Sequence, residues 1–487
     1  MVFNDVLTTD AAPKPAGAAA GFAFALLVTA ALPLGLGSQI DAGSADATSI
    51  FAQYLVVFYS GLRLTSLFIR GVADWLSIVI FGFSYVWLAV APLIQAIAGL
   101  NPLGVVQSAE TMAVQALVVL AGLLAYDIGL LASRGTRSSS VRAHRRELSP
   151  RRVVIMSVLC LAAAPVLIQV MGGVETLFSS RIERLDVLQD AGLYSETSKS
   201  QGAWVSAISS VLPFVALYGL VSVGVIYRQY RRRPAYWLLL VSVVAANVLL
   251  NNPISSSRFW VLVVLLSLVF VAQFARRPVG VRWIVGGFAL AGLVVFPYLD
   301  FFRTPDAVFR IDSVTSFILD KTDYDAMTQV GNSIEYSSSQ GSTLGYQSLG
   351  ALLFWVPRQI WPSKPIDTGS LLAQSIGYPN ANLSAPLWGE LYIDFGVIGV
   401  LAAFFAVGAA VGPVSRRYVR SFARDDILTA TQFVYPVLCL YAVLLLRGSL
   451  LQAMGRLVVL IVILFLCTRR AGERRSISTP DLEVSNA

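Results

Sequence analysis

The sequence predicts an all-α, polytopic membrane protein of about twelve transmembrane helices, and three observations lead there. Of 487 residues, 56% are hydrophobic and 13% charged, whereas soluble domains carry about 25% charged residues. Apolar windows of the length that crosses a hydrocarbon core start near residues 21, 50, 75, 111, 153, 203, 236, 259, 283, 388, 427 and 450. Arginines gather in five clusters, and each cluster follows an even-numbered span.

Taken in order, residues 1–20 form a Pro/Ala-rich acidic leader without a basic n-region, so "GFAFALLVTAALPLGLG" reads as a retained first span and not as a cleaved signal. Residues 21–468 form one polytopic domain, and 469–487 a tail. The basic clusters are "RGTRSSSVRAHRRELSPRR", "YRQYRRRP", "RRPVGVR", "SRRYVRSFAR" and "RRAGERR", after spans four, six, eight, ten and twelve. By the positive-inside rule these loops and both termini are cytoplasmic, and the odd-numbered loops face outward. Trp75, Trp204, Trp237, Trp283 and Trp388 lie near span ends, where an interfacial belt and ordinary packing both place tryptophan. Two outward loops are long: about 174–202, and 300–386 between spans nine and ten. The second exceeds any mere connector. It holds a polar part, "DKTDYDAMTQVGNSIEYSSSQGSTLGY", then "SLGALLFWVPRQIW", short enough for an interfacial or re-entrant helix. No fixed-period repeat or Gly/Ser linker divides the chain.

Several function classes are excluded. Cys160, Cys439 and Cys467 all sit in apolar runs, which supports neither a disulfide framework nor a thiolate metal cluster. The single histidine, His144, lies in a cytoplasmic basic loop, so no imidazole serves a site elsewhere. There is no GxxxxGK[ST], HExxH or GxSxG motif. The net charge of +8 is concentrated in basic loops beside apolar spans, where positive charge records membrane orientation, so nucleic acid is a poor partner.

The unusual residues are the cations on the outward side: Arg181, Arg184, Arg258, Arg303, Arg310, Arg358, Lys364, Arg447 and Arg456. Positive-inside sorting works against each of them. Any one can snorkel, whereas the set, spread over four outward loops, fits a shared anionic ligand. Arginine's planar fork matches phosphate oxygens. Arg258 ends "NNPISSSR", a polar break with a helix-interrupting proline, a composition that a purely structural turn shares. Among carboxylates, "DYD" at 323–325 has metal-diphosphate spacing, and a solvated loop yields the same pattern. Glu335 stands in the same polar part. Glu390 and Asp394 fall at i and i+4, where like charges repel unless a cation, a proton or a helix dipole intervenes.

The order "SSSRF" between two spans, "WVPRQIWPSKP" in the large outward loop, and "GYPNANLSAPLWGELYIDFGVIGV" entering the next span resembles the O-antigen polymerase (Wzy-type), or oligosaccharide repeat-unit polymerase, family. The resemblance is clearest over 247–400. Some members carry Arg-x10-Gly in two outward loops, which Arg181 with Gly192 and Arg358 with Gly369 match here. It implies a GT-C-like glycosyltransferase in the cytoplasmic membrane, active on its outer face, which joins oligosaccharides carried on undecaprenyl diphosphate. The related ligases often place a histidine near the acceptor, and the cytoplasmic His144 departs from that pattern.

On that resemblance Arg258 and Arg358 clamp the diphosphate, with Lys364, Arg303 or Arg447 assisting. Glu335, Asp323 or Glu390, in that order, takes the proton from the acceptor hydroxyl. Trp355, Trp361, Tyr378 and Trp388 stack on sugar faces, or else pack. No metal or other cofactor is required, because arginines supply the positive charge. Partners are donor and acceptor lipid-linked oligosaccharides, membrane lipids and a chain-length regulator, with no nucleic acid. A lipid-linked oligosaccharide flippase is the rival, although flippases line a central cavity with charge and show repeated halves. Pro357, Pro362 and Pro365 predict a stiff bend around Arg358 and Lys364.

Overall fold

A computed structural model describes residues 16–40, 46–134, 146–178, 199–274, 280–295, 313–379, 383–421 and 428–470. They are mostly helical. Among them, eight helical segments are long and apolar enough to cross a membrane: α1 (Ala18–Gly37), α2 (Ala47–Arg70), α3 (Trp75–Ala98), α4 (Ala109–Ala132), α5 (Pro150–Val170), α6 (Lys199–Ile226), α14 (Leu387–Ser421, broken by the non-helical Gly396, φ 62°, so that Trp388 before the break stacks on Phe404 after it) and α15 (Ala430–Arg447). Four shorter apolar helices stand where further spans were expected: α7 (Pro234–Leu250), α8 (Arg258–Phe274), α9 (Val281–Leu290, extended by a π-helical turn Ala291–Val295) and α16 (Leu450–Leu466). The long loop contributes α10 (Val314–Asp320), α11 (Ala326–Gln340), α12 (Tyr346–Leu352) and α13 (Thr368–Ser375).

Helix starts follow their capping residues. Asp46, Ser108, Ser149, Ser313, Asp367 and Thr429 each accept a bond from a first-turn backbone N–H. Thr429 and Gln432 complete a capping box. Between helices in a membrane, close approach depends on small residues. A Cβ on Gly129 would stand 2.1 Å from the Phe405 carbonyl oxygen, and one on Gly408 would stand 2.1 Å from that of Tyr126. These two glycines let α4 and α14 meet backbone to backbone. α3 is the central helix, with its whole apolar window buried.

Contacts between connections and helix ends fall into two sets. At one end Leu148 N–H donates to the Leu428 carbonyl, Ser149 N–H to that of Cys467, Arg282 to that of Phe68, and Arg416 to that of Ser133. There a short antiparallel ladder pairs β1 (Arg146–Leu148) with β2 (Thr468–Arg470), and Glu147 is bridged to Arg469 at 2.7 Å. Described arginines of the even-numbered connections lie at this end. At the opposite end Gln95 donates to the carbonyls of Ile318 and Tyr324, Gln107 to that of Thr328, and Ala385 N–H to that of Arg447. The long loop is therefore packed onto the helix ends.

The polar part of that loop is buried. α11 carries Thr, Gln, Asn and Ser, yet every residue from Ala326 to Ser333 is buried. The apolar part forms only the seven-residue α12, and the chain leaves helix before Pro357.

Candidate functional site

Two arginines and two aspartates meet at the loop-bearing end. Arg258 opens α8, Arg447 closes α15, Asp323 lies in the middle of a single 3-10 turn, Thr322–Tyr324, and Asp325 follows directly after it. Arg258 Nη2 lies 2.9 Å from Asp323 Oδ2, while Arg447 Nη2 lies 3.6 Å from Asp323 Oδ1 and 3.8 Å from Asp325 Oδ1. Asp323 bridges the two guanidinium groups. Arg447 also donates to the Asp323 carbonyl at 3.3 Å, and its Cζ stands 4.7 Å from the centroid of the Phe259 ring. Its Nε is buried without a hydrogen-bond partner. A third cation, Arg456 on α16, stands 5.1 Å over Trp260, next in sequence to Phe259, and its Nε is likewise buried and unbonded.

Tyr324 positions this turn. It is buried, its hydroxyl donates to the Gly292 carbonyl at 2.8 Å, and its ring stacks with Trp87 at 6.4 Å. Both contacts come from π-helical segments, Ser84–Val90 in α3 and Ala291–Val295 after α9. Such segments turn side chains and carbonyls out of the regular helical register and concentrate at functional sites. Gln95 holds the Tyr324 carbonyl at 3.0 Å. With the tyrosine anchored inward, the neighbouring aspartates reach the arginines.

The electrostatic balance is positive. Arg258 stands at a helix N-terminus, whose own partial charge is positive, so helix and side chain add to one anion-attracting field. Asp325 is buried, and burial pushes its carboxyl above the ordinary carboxylate range, opposed by the Arg447 cation and by Ser384. Asp323 is the countercharge that both arginines share. Such a site can take a multivalent anion.

Arg358 and Lys364 serve their own loop in this structure. Arg358 donates to the carbonyls of Lys364 (2.6 Å) and Pro365 (3.1 Å), and the Lys364 ammonium to those of Phe354 (2.7 Å) and Val356 (3.0 Å). Lys364 is buried, and burial, then Arg358, hold its ammonium below the ordinary lysine range. These four bonds close the bend that the prolines begin. Phe354, at its root, packs 5.2 Å from Trp204 and reaches within 3.4 Å of the Cβ position on Gly455, beside Arg456. The loop thus sits next to the third cation. Arg303, Arg181, Arg184, Arg310 and His144 lie outside the described residues.

Glu390 and Asp394, the i, i+4 pair, each face a different helix start. Glu390 accepts the Leu450 N–H at the start of α16 with both oxygens, at 3.1 and 3.0 Å. Asp394 accepts the backbone N–H groups of Gln347 (3.1 Å) and Ser348 (2.8 Å) at the start of α12, and the hydroxyls of Thr343 and Ser348. Helix dipoles, not an arginine, offset their repulsion. Glu335 is half-buried on the third turn of α11, about 15 Å along the axis from Asp325 at 1.5 Å per residue. Trp388 is fully buried and stacks on Phe404 at 4.3 Å. Trp355 is exposed, Trp361 stands edge-on to Tyr346 at 5.7 Å, and Tyr378 is half-buried.

One feature of the spans has no counterpart in the sequence reading. Arg63 of α2 meets Asp127 of α4 through Nε (2.6 Å) and Nη2 (2.7 Å), and Tyr59 donates to the same carboxylate at 2.5 Å. Charges inside spans are costly unless paired, and their helical spacing relative to apolar neighbours was the available signal.

Against known proteins, a stretch of 68 residues is 40% identical to the O-antigen polymerase of Salmonella typhimurium (strain LT2) and to that of Salmonella typhi. The match covers 10% of this chain, which spans 17% of the length of each of those proteins. No protein-family model matches the chain, and no solved structure does. Among the described residues, no group of three or more His, Cys, Asp or Glu could hold a metal ion, and all three cysteines are free and buried.

Proposed function

We propose that the chain is a membrane glycosyltransferase that polymerises undecaprenyl-diphosphate-linked oligosaccharide repeat units on the outer face of the cytoplasmic membrane. In this reading the twelve apolar helices all span, both termini are cytoplasmic, and the architecture is GT-C-like. The observation that carries it is the Arg258–Asp323–Arg447 cluster at the end opposite the basic connections. The short match to O-antigen polymerases supports the same reading.

Diphosphate oxygens replace the Asp323 carboxylate on Arg258 and Arg447, with Arg358, Lys364 and Arg303 assisting. As the bond between the donor sugar and its diphosphate breaks, the electron pair stays on the departing phosphate oxygen. Guanidinium groups already fixed in place stabilise that charge more in the transition state than in the ground state. The acceptor hydroxyl forms the new C–O bond and gives its proton to a carboxylate. Asp323, released from the arginines, stands nearest the cluster for that role, ahead of Glu335 and Glu390. Trp355, Trp361 and Tyr378 offer sugar-stacking faces on the loop, whereas Trp388 is buried against Phe404.

Purified protein in vesicles, supplied with lipid-linked repeat units, tests the reading. Ladders of longer glycans are expected. Transfer across the bilayer without bond formation means a flippase, and partner capture without either means a scaffold.

A further inference from the structure

Beneath the cluster, a cavity of about 240 Å³ lies between α3, α8, α9 and α15, lined by Trp75, Trp87, Leu262, Leu266, Phe270 and Gly287 among others. Its wall is almost entirely apolar. Leu266 and Val269 of that wall are also exposed on the surface of α8, so the cavity is open at its side; with α8 in a bilayer that side faces hydrocarbon. Along α8 it runs from Leu262, about one turn below Arg258, to Phe270, roughly 12 Å at 1.5 Å per residue. Its upper wall is continuous with the cation cluster through aromatic contacts: Trp87 lines it, Trp87 lies 5.8 Å from Phe259, and Phe259 carries Arg447 at 4.7 Å. Gly292, another lining residue, offers the carbonyl that holds Tyr324 between the two aspartates.

We infer that this lateral cavity receives the isoprenoid chain of a lipid diphosphate whose headgroup occupies Arg258 and Arg447, an inference that rests on the function proposed above. Charge and polarity select the occupant. Lipid tails are as apolar as the wall, so the cavity alone draws in no chain in particular. A diphosphate held at its upper end makes entry of the attached chain an intramolecular event, favoured by effective concentration. The space suits only the headgroup-proximal part of the chain, and the rest runs through the open side into the bilayer. Its consequence is orientation: the chain fixes the direction in which the diphosphate leaves the sugar.

Gly287 provides the test, because a Cβ there meets no atom within 4 Å, so a larger side chain enters the cavity without clashing at its root. Gly286 on the same helix lets a Cβ make only ordinary contact, 3.7 Å from Phe24, and Gly286→Ala serves as control. Binding of undecaprenyl diphosphate and of inorganic diphosphate to the full chain in nanodiscs is measured for wild type, Gly287→Phe, Gly286→Ala and Arg447→Gln. Gly287→Phe is expected to weaken undecaprenyl diphosphate about tenfold, the scale of overfilling a packed space, and to leave inorganic diphosphate unchanged. Equal binding of the long-chain lipid by wild type and Gly287→Phe overturns the tail assignment. If Arg447→Gln binds both ligands as wild type does, the headgroup site itself fails. Wild-type protein supplies an independent readout through a polyprenyl diphosphate carrying a photoreactive group near its head. Label in peptides spanning 262–270 and 284–292 supports the inference, and label confined to an apolar groove at Ile398, Leu401 and Phe405 overturns it.

Discussion

At the residue scale, Arg447 combines a shared carboxylate, a backbone carbonyl and an aromatic face, and it keeps a buried Nε unbonded. Its planar fork, not its charge alone, meets all of these. Arg447→Lys should therefore retain fold and charge yet reduce polymer formation by at least about tenfold, the scale of losing one charge-assisted bond. Product length on a gel checks it, and full-length polymer would remove Arg447 from the site. Asp325 gives a pH prediction. Its carboxyl titrates higher in the folded protein than in the unfolded chain, so its contribution to stability is fully present below the ordinary carboxylate range and is lost as pH rises through the raised value. Asp325→Asn should flatten that part of the stability profile, measured by thermal unfolding in detergent between acid and neutral pH. A mutant profile parallel to wild type would show that Asp325 ionises without cost.

At the element scale, the loop after α12 is shaped by its own cations. Lys364→Met leaves the Phe354 and Val356 carbonyls without their donor, a loss of about 1–3 kcal/mol for groups left buried. Limited proteolysis should then cut near 354–365 faster than in wild type, and an unchanged rate would mean water replaces the ammonium. The stiff bend was legible in the prolines, but the bonding of Arg358 and Lys364 to loop carbonyls was not, because composition does not tell a cation facing a ligand from one tying down its own backbone. Similarly, "DYD" read more readily as solvated loop than as a site. Asp323 and Arg447 lie 124 residues apart, and only the packing of α11 under the helix ends brings them together. The buried polar face of α11 has the composition of an exposed loop, since Gln95 and Gln107 supply its partners from other helices. The Glu390 and Asp394 pair was legible as an electrostatic problem, and its solution by two helix starts was not.

Across the whole molecule, apolar windows located every described helix long and apolar enough to cross a membrane, because burial in lipid demands long apolar runs and internally bonded backbone. Arginine parity predicted two unlike ends, and the described arginines of the even-numbered connections gather at one of them. Orientation follows as a testable expectation. In spheroplasts, an impermeant maleimide should label Ser363→Cys directly and Gln229→Cys only after permeabilisation, both positions being exposed. The native cysteines are buried and should give little background. The reverse pattern would invert the proposed topology. Intramembrane pairing of Arg63 with Asp127 escaped the hydropathy windows, since one charge per span barely lowers their average.

The central claim is that Arg258 and Arg447 exchange Asp323 for a diphosphate, and the affinity of purified protein for undecaprenyl diphosphate tests it most directly. Arg258→Gln and Arg447→Gln should each weaken binding roughly ten- to a hundredfold, the scale of charge-assisted hydrogen bonds, while Asp323→Asn should tighten it by removing the competing carboxylate. Wild-type affinity in both arginine variants would contradict the account.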